Sequence, residues 1–67
     1  MDTIERARVA REELDHIKYL MKTGQISFDT ARERAVEPLK ALNAGMATLS
    51  RQYGMKHRVV GFSAYMR

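Results

Sequence analysis

Thr23-Gly24-Gln25-Ile26-Ser27 carries the end of one helix and the start of another within five residues. Gly24 is placed for a left-handed cap after a helix expected to end near Thr23, with Lys22, a cation suited to the negative end of the helix dipole, in its last turn. Ser27 is a good N-cap, and Ile26 just before it can staple against Ala31. A connection this short returns the second helix antiparallel beside the first.

Upstream of that turn, apolar or small residues recur at Ile4, Ala7, Ala10, Leu14, Ile17 and Met21. Steps of three and four make one stripe on an α-helix. Asp2 can cap its start, and Glu5 can reach back. The first helix is expected over about residues 3–23, roughly 30 Å long. Arg8–Glu12 and Arg11–Asp15 are spaced as i,i+4 pairs on its outer faces.

Downstream, Phe28, Ala31, Ala35, Leu39, Leu42, Met46, Leu49 and Tyr53 form a second stripe, expected as a helix over about 28–53. Pro38 falls inside it. A proline in a helix interior removes one backbone bond and crowds the preceding turn, at a cost of about 3 kcal/mol. The helix either kinks there or breaks and restarts near Glu37. The unbroken phase of the stripe favours a kinked, continuous helix. Gly54 ends it, with Arg51 in the last turn.

Small residues crowd one part of this helix: Ala41, Ala44, Gly45, Ala47 and Thr48. Gly45 costs about 1 kcal/mol relative to alanine in a helix interior. Close approach of another backbone offsets such a cost. Ala41, Ala44, Gly45 and Thr48 therefore mark either a contact with another subunit or close packing on the first helix of the same chain.

Residues 1–54 make the hairpin, and residues 55–67 make a C-terminal arm of a different kind. Val59, Val60, Phe62, Tyr65 and Met66 lie within eight positions, too apolar for a segment left in water. Val59-Val60 favours extended backbone, and Ser63 can cap one short final turn. The arm is expected to dock on a neighbour or a larger partner. Lys56, His57, Arg58, Val59, Phe62, Tyr65, Met66 and Arg67 are its contact residues. The fold class is therefore all-α, a helical hairpin with a short arm, in a single domain.

A chain of 67 residues buries only about 60% of its unfolded surface. It has no cysteine, so disulfides, thiolate metal sites and cysteine nucleophiles are excluded. Association is the remaining supplement to a small core, and a homo-oligomer is the expected form. The start Met1-Asp2-Thr3-Ile4-Glu5 lacks the basic and apolar regions of a signal peptide, and no run is apolar enough to span a membrane. A soluble, cytoplasmic or at least intracellular protein is expected, in a style that suits a phage or plasmid accessory protein, virion-associated or not.

The net charge of +4 is uneven. Every acid lies before Pro38, where the residues sum to −1. From Pro38 onward Lys40, Arg51, Lys56, Arg58 and Arg67 stand without an acid, which gives +5. An acid-free half suggests an anionic partner surface, on a protein or a nucleic acid.

Catalytic chemistry is thinly supplied. Glu13-Leu14-Asp15-His16 matches half of a di-iron helix motif, but Leu14 and Ile17 define the inward stripe, so Glu13 and His16 face out. His57 sits between two cations, which disfavour its protonated form, and no acid nearby in sequence orients it. There is no phosphate-binding glycine loop or zinc-finger spacing, and a hairpin has little room for a closed pocket. No enzymatic activity, cofactor, metal or small-molecule substrate is expected. The leading expectation is a non-enzymatic interaction and assembly protein. The alternatives are a small nucleic-acid-binding regulator using the acid-free half, whose bases and aromatics suit phosphates and stacking, and an inhibitor that blocks a host protein.

Overall fold

The computed structural model describes residues 2–56 and 58–66. Helix α1 spans Thr3–Lys22, α2 spans Phe28–Tyr53, and a single turn, α3, spans Phe62–Tyr65. The chain measures 40 × 23 × 15 Å. Its thinnest dimension is close to one helix diameter, so the hairpin is one layer thick and each of its two broad sides is a surface.

Local signals set the helix ends. The Asp2 carboxylate accepts from the backbone N–H of Glu5 at 2.8 Å, and Ser27 Oγ accepts from that of Thr30 at 3.1 Å. Each satisfies one of the donors that a helix start leaves without an intrahelical partner. Gly24 and Gly54 both take positive φ, 77° and 65°, the left-handed region where a side chain is penalised. Helix α1 ends one residue earlier than expected, with Thr23 as its C-cap.

Helix α2 runs unbroken through Pro38. The alternative of a break near Glu37 is excluded. Pro38 is itself buried against α1, as are Ala31, Ala35, Leu42 and Gly45. The line facing α1 is thus 31-35-38-42-45. Of the expected stripe, Leu39 and Met46 are half-buried, while Phe28, Leu49 and Tyr53 are exposed. At Gly45 the missing side chain lets the two backbones come close. A Cβ on Gly45 would overlap the Cβ of Ala7 and lie 3.0 Å from the carbonyl oxygen of Thr3.

The core sets four alanines among four large side chains. Ala7, Ala10, Ala31 and Ala35 are buried together with Leu14, Ile17, Leu42 and Met66, and Leu14 is fully buried. No helix among the described residues is long and apolar enough to cross a membrane.

Candidate interaction site

Beyond Gly54 the chain turns back along one side of the hairpin. Asn43 holds it there. The Asn43 side chain accepts from the backbone N–H of Val60 at 2.7 Å and donates through Nδ2 to the carbonyl of Val60 at 3.0 Å. The same nitrogen donates to the carbonyl of Leu39 at 3.0 Å. A primary amide has two N–H donors, so both bonds are made at once. One side chain thus pairs with a residue of the arm as a neighbouring strand would.

Two further contacts fix the turn α3. Phe62 meets Phe28 edge to face, with centroids 5.2 Å apart and planes at 80°, a preferred aromatic geometry. The Tyr65 hydroxyl donates to Asp15 Oδ1 at 2.6 Å and lies 3.3 Å from the carbonyl oxygen of Arg11. Burial, the bond to Asp15 and the charge of Asp15 together push the Tyr65 hydroxyl up to about 12. Met66 completes the contact by entering the core.

The side chains expected to anchor the arm on a neighbour are therefore occupied within the chain. Phe62, Tyr65 and Met66 all dock on their own hairpin. A segment that starts at the end of α2 lies beside the apolar flank Leu39, Met46 and Phe28, and covering that flank in cis needs no second chain. Val59, Lys56 and Arg58 are exposed. His57 and Arg67, expected in the same set, lie outside the described residues. Ser63 does not cap the final turn. Gly61 stands at the N-cap without a side-chain bond, and Ser63 lies inside the turn.

Of the small-residue set, Gly45 is taken up by Ala7 and Thr3 of α1. The choice left open between a second subunit and the same chain falls, at this residue, on the same chain. Ala41 and Thr48 are half-buried and Ala44 is exposed. The Thr48 hydroxyl donates to the carbonyl of Ala44 at 3.0 Å.

The arm makes the two broad sides of the hairpin different. On the side it crosses, α1, α2 and the arm enclose an open groove of about 670 Å³. Ile4, Leu42, Met46 and Leu49 give it an apolar floor, and Arg8, Arg11 and Lys18 stand along its α1 edge. Asp15, an acid in the same groove, accepts the hydrogen bond from the Tyr65 hydroxyl. On the opposite side, Val9, Ala10, Pro38 and Ala41 line a depression of about 580 Å³, with Arg6, Glu13, Arg34 and Glu37 around it. Ala44 and Thr48 continue that side at i+3 and i+7 from Ala41.

Neither pair proposed for the outer face of α1 forms. Among the described residues the one ion pair is Lys40–Glu37, at 3.6 Å. Asp15 turns to Tyr65 rather than to Arg11. Glu13 and His16 are exposed on α1, and no group of His, Asp or Glu among the described residues is arranged to hold a metal ion.

Sequence reasoning passed over Asn43 and the row Arg8, Arg11, Lys18. Both leave a trace in the sequence. Asparagine in a helix interior is unfavourable and signals a side chain used elsewhere. Arg8, Arg11, Asp15 and Lys18 recur at steps of three and four, which places them on one face.

No family model, curated protein or solved structure matches this chain.

Proposed function

We propose that this chain is a non-enzymatic protein–protein interaction and assembly module. One observation carries the proposal: half of the buried core residues are alanines, while many large apolar side chains lie outside. Val9, Tyr19, Phe28, Val36, Leu49, Tyr53, Met55 and Val59 are all exposed. A chain that leaves this many large apolar side chains exposed has surface suited to a partner.

Self-association uses the side away from the arm. There Val9, Ala41, Ala44 and Thr48 make a low, small-residue surface, and Arg6, Arg34, Glu13 and Glu37 supply both signs of charge around it. A two-fold contact sets each patch against its own copy, so a surface bearing both signs is complementary to itself. The test is sedimentation or light scattering over a range of concentrations, with Ala44→Glu compared. The expected result is a dimer that Ala44→Glu converts to a helical monomer. A wild-type chain that stays monomeric at high concentration removes self-association from the reading.

A nucleic-acid reading has one observation in its favour. Arg51, Lys56 and Arg58 are exposed near Tyr53 in the half without acids. Binding through about three phosphate contacts weakens steeply with salt. If the chain ignores DNA and RNA at low salt, this second reading falls.

A further inference from the structure

We propose that the groove between α1, α2 and the arm seats an amphipathic helix of a partner protein, one whose flank is acidic. The proposal rests on the interaction-module reading and names the partner chemistry for the side that self-association leaves open.

Three features of the groove select this occupant. Its floor is apolar: Leu42, Met46 and Leu49 run along α2, and Ile4 lies at the Leu49 end, where the start of α1 packs beside Gly45. Tyr53, four residues beyond Leu49 and exposed, extends the same stripe past the groove. Its α1 edge is cationic. Arg8 and Lys18 are ten residues apart on one helix, about 15 Å or nearly three turns. A ligand with one anionic head, such as a fatty acid, answers one of those cations; a helix with carboxylates on successive turns answers the row. Finally, the groove is open along its length. Small ligands take sites that enclose most of their surface, whereas a helix laid into a groove presents one face and leaves the other in water.

A second copy of this chain is a poor occupant. The apolar stripes of its α1 and α2 are packed against each other in its own core, so neither helix keeps that stripe free to enter a second groove. The groove's own acid, Asp15, is held by Tyr65 at 2.6 Å. The arm has a part in this: Val60 and Tyr65 form one wall, so docking in cis builds the site.

The experiment uses the full chain and a labelled helical peptide of about 18 residues, five turns long, with leucines on one face and glutamates on its flanks. Two further peptides carry glutamine or lysine in place of the glutamates. Fluorescence anisotropy gives affinities, and amide chemical shifts locate the contact. The glutamate peptide is expected to bind saturably, with shifts at Leu42, Met46 and Leu49. The glutamine peptide should bind roughly tenfold more weakly, and the lysine peptide not at all. The triple substitution Arg8→Glu, Arg11→Glu, Lys18→Glu should invert that order, and circular dichroism shows whether it keeps its helix. If it does not, Leu49→Ser, at an exposed position, should still weaken the glutamate peptide severalfold. Equal binding of the glutamate and glutamine peptides overturns the proposal. So does displacement of the peptide by oleate at equal concentration, or a shift map on Val9 and Ala41. Ala44→Glu separates the two readings, because peptide binding should survive it whatever becomes of self-association.

Discussion

The Tyr65 hydroxyl and the Asp15 carboxylate, fifty residues apart in the chain, meet at 2.6 Å. This bond ties the turn α3 to the middle of α1. Burial first, and then the bond to a carboxylate, favour the protonated hydroxyl, so Tyr65 loses its proton only at about 12 against an ordinary value of 10.0. Its folded value is raised, so its stabilisation is complete below pH 10 and is lost as pH rises through 12. The arm should therefore detach between those values while α1 and α2 remain helical. Absorbance of tyrosinate at 295 nm, compared between wild type and Tyr65→Phe, isolates this group. Tyr65→Phe should cost about 1 kcal/mol at neutral pH and abolish the latest titrating component.

Asn43 is the other tie. Asn43→Ala removes both of its bonds to Val60 and the one to Leu39. The expected cost is about 1–3 kcal/mol, concentrated in the arm. Hydrogen exchange at the Val60 amide should rise to the rate of an exposed residue, with α1 and α2 unchanged. Unchanged protection at Val60 would show that the arm is held without Asn43.

Gly45→Ala should destabilise the protein even though alanine is the better helix former. The added methyl meets Ala7 and the backbone of Thr3, so α1 must move, at about 1–3 kcal/mol. Ala7→Gly alone costs about 1 kcal/mol in helix propensity. If the close approach is the cause, the double variant should be less destabilised than the sum of the two single ones, a coupling that urea unfolding measures directly.

Leu14 is the fully buried large side chain at the centre of the core. Leu14→Ala should cost about 2–5 kcal/mol. A chain of this length has roughly 3–10 kcal/mol in total, so the melting temperature should fall by about 10 °C or more. A fall of a few degrees would mean that the hairpin closes over the lost volume.

The hairpin was legible because its punctuation is local. Asp2, Gly24, Ser27 and Gly54 each act on backbone groups within a turn of themselves, and all four act as their types dictate. The inward line of α2 was less legible. Counting large apolar residues passes over the buried Pro38 and Gly45, the latter facing α1 because a Cβ there would meet Ala7, and it drew Leu39 and Met46 inward when they flank the line. The route of the arm was the least legible. Its apolar content showed that it must dock, but the partner of Tyr65 is an acid that spacing alone assigns to Arg11. The choice between cis and trans docking depends on Asn43, one polar side chain in a long helix. The two-sided character of the hairpin, and with it the cationic groove, follows from that choice.

The arm also sets an order in time. Residues 23–27 bring α1 and α2 together by a short closure, and hairpins of this kind form in microseconds. The bonds from Val60 to Asn43 and from Tyr65 to Asp15 wait for residues synthesised after α2. Until they form, the hairpin has one side bare and its groove lacks the wall of Val60 and Tyr65.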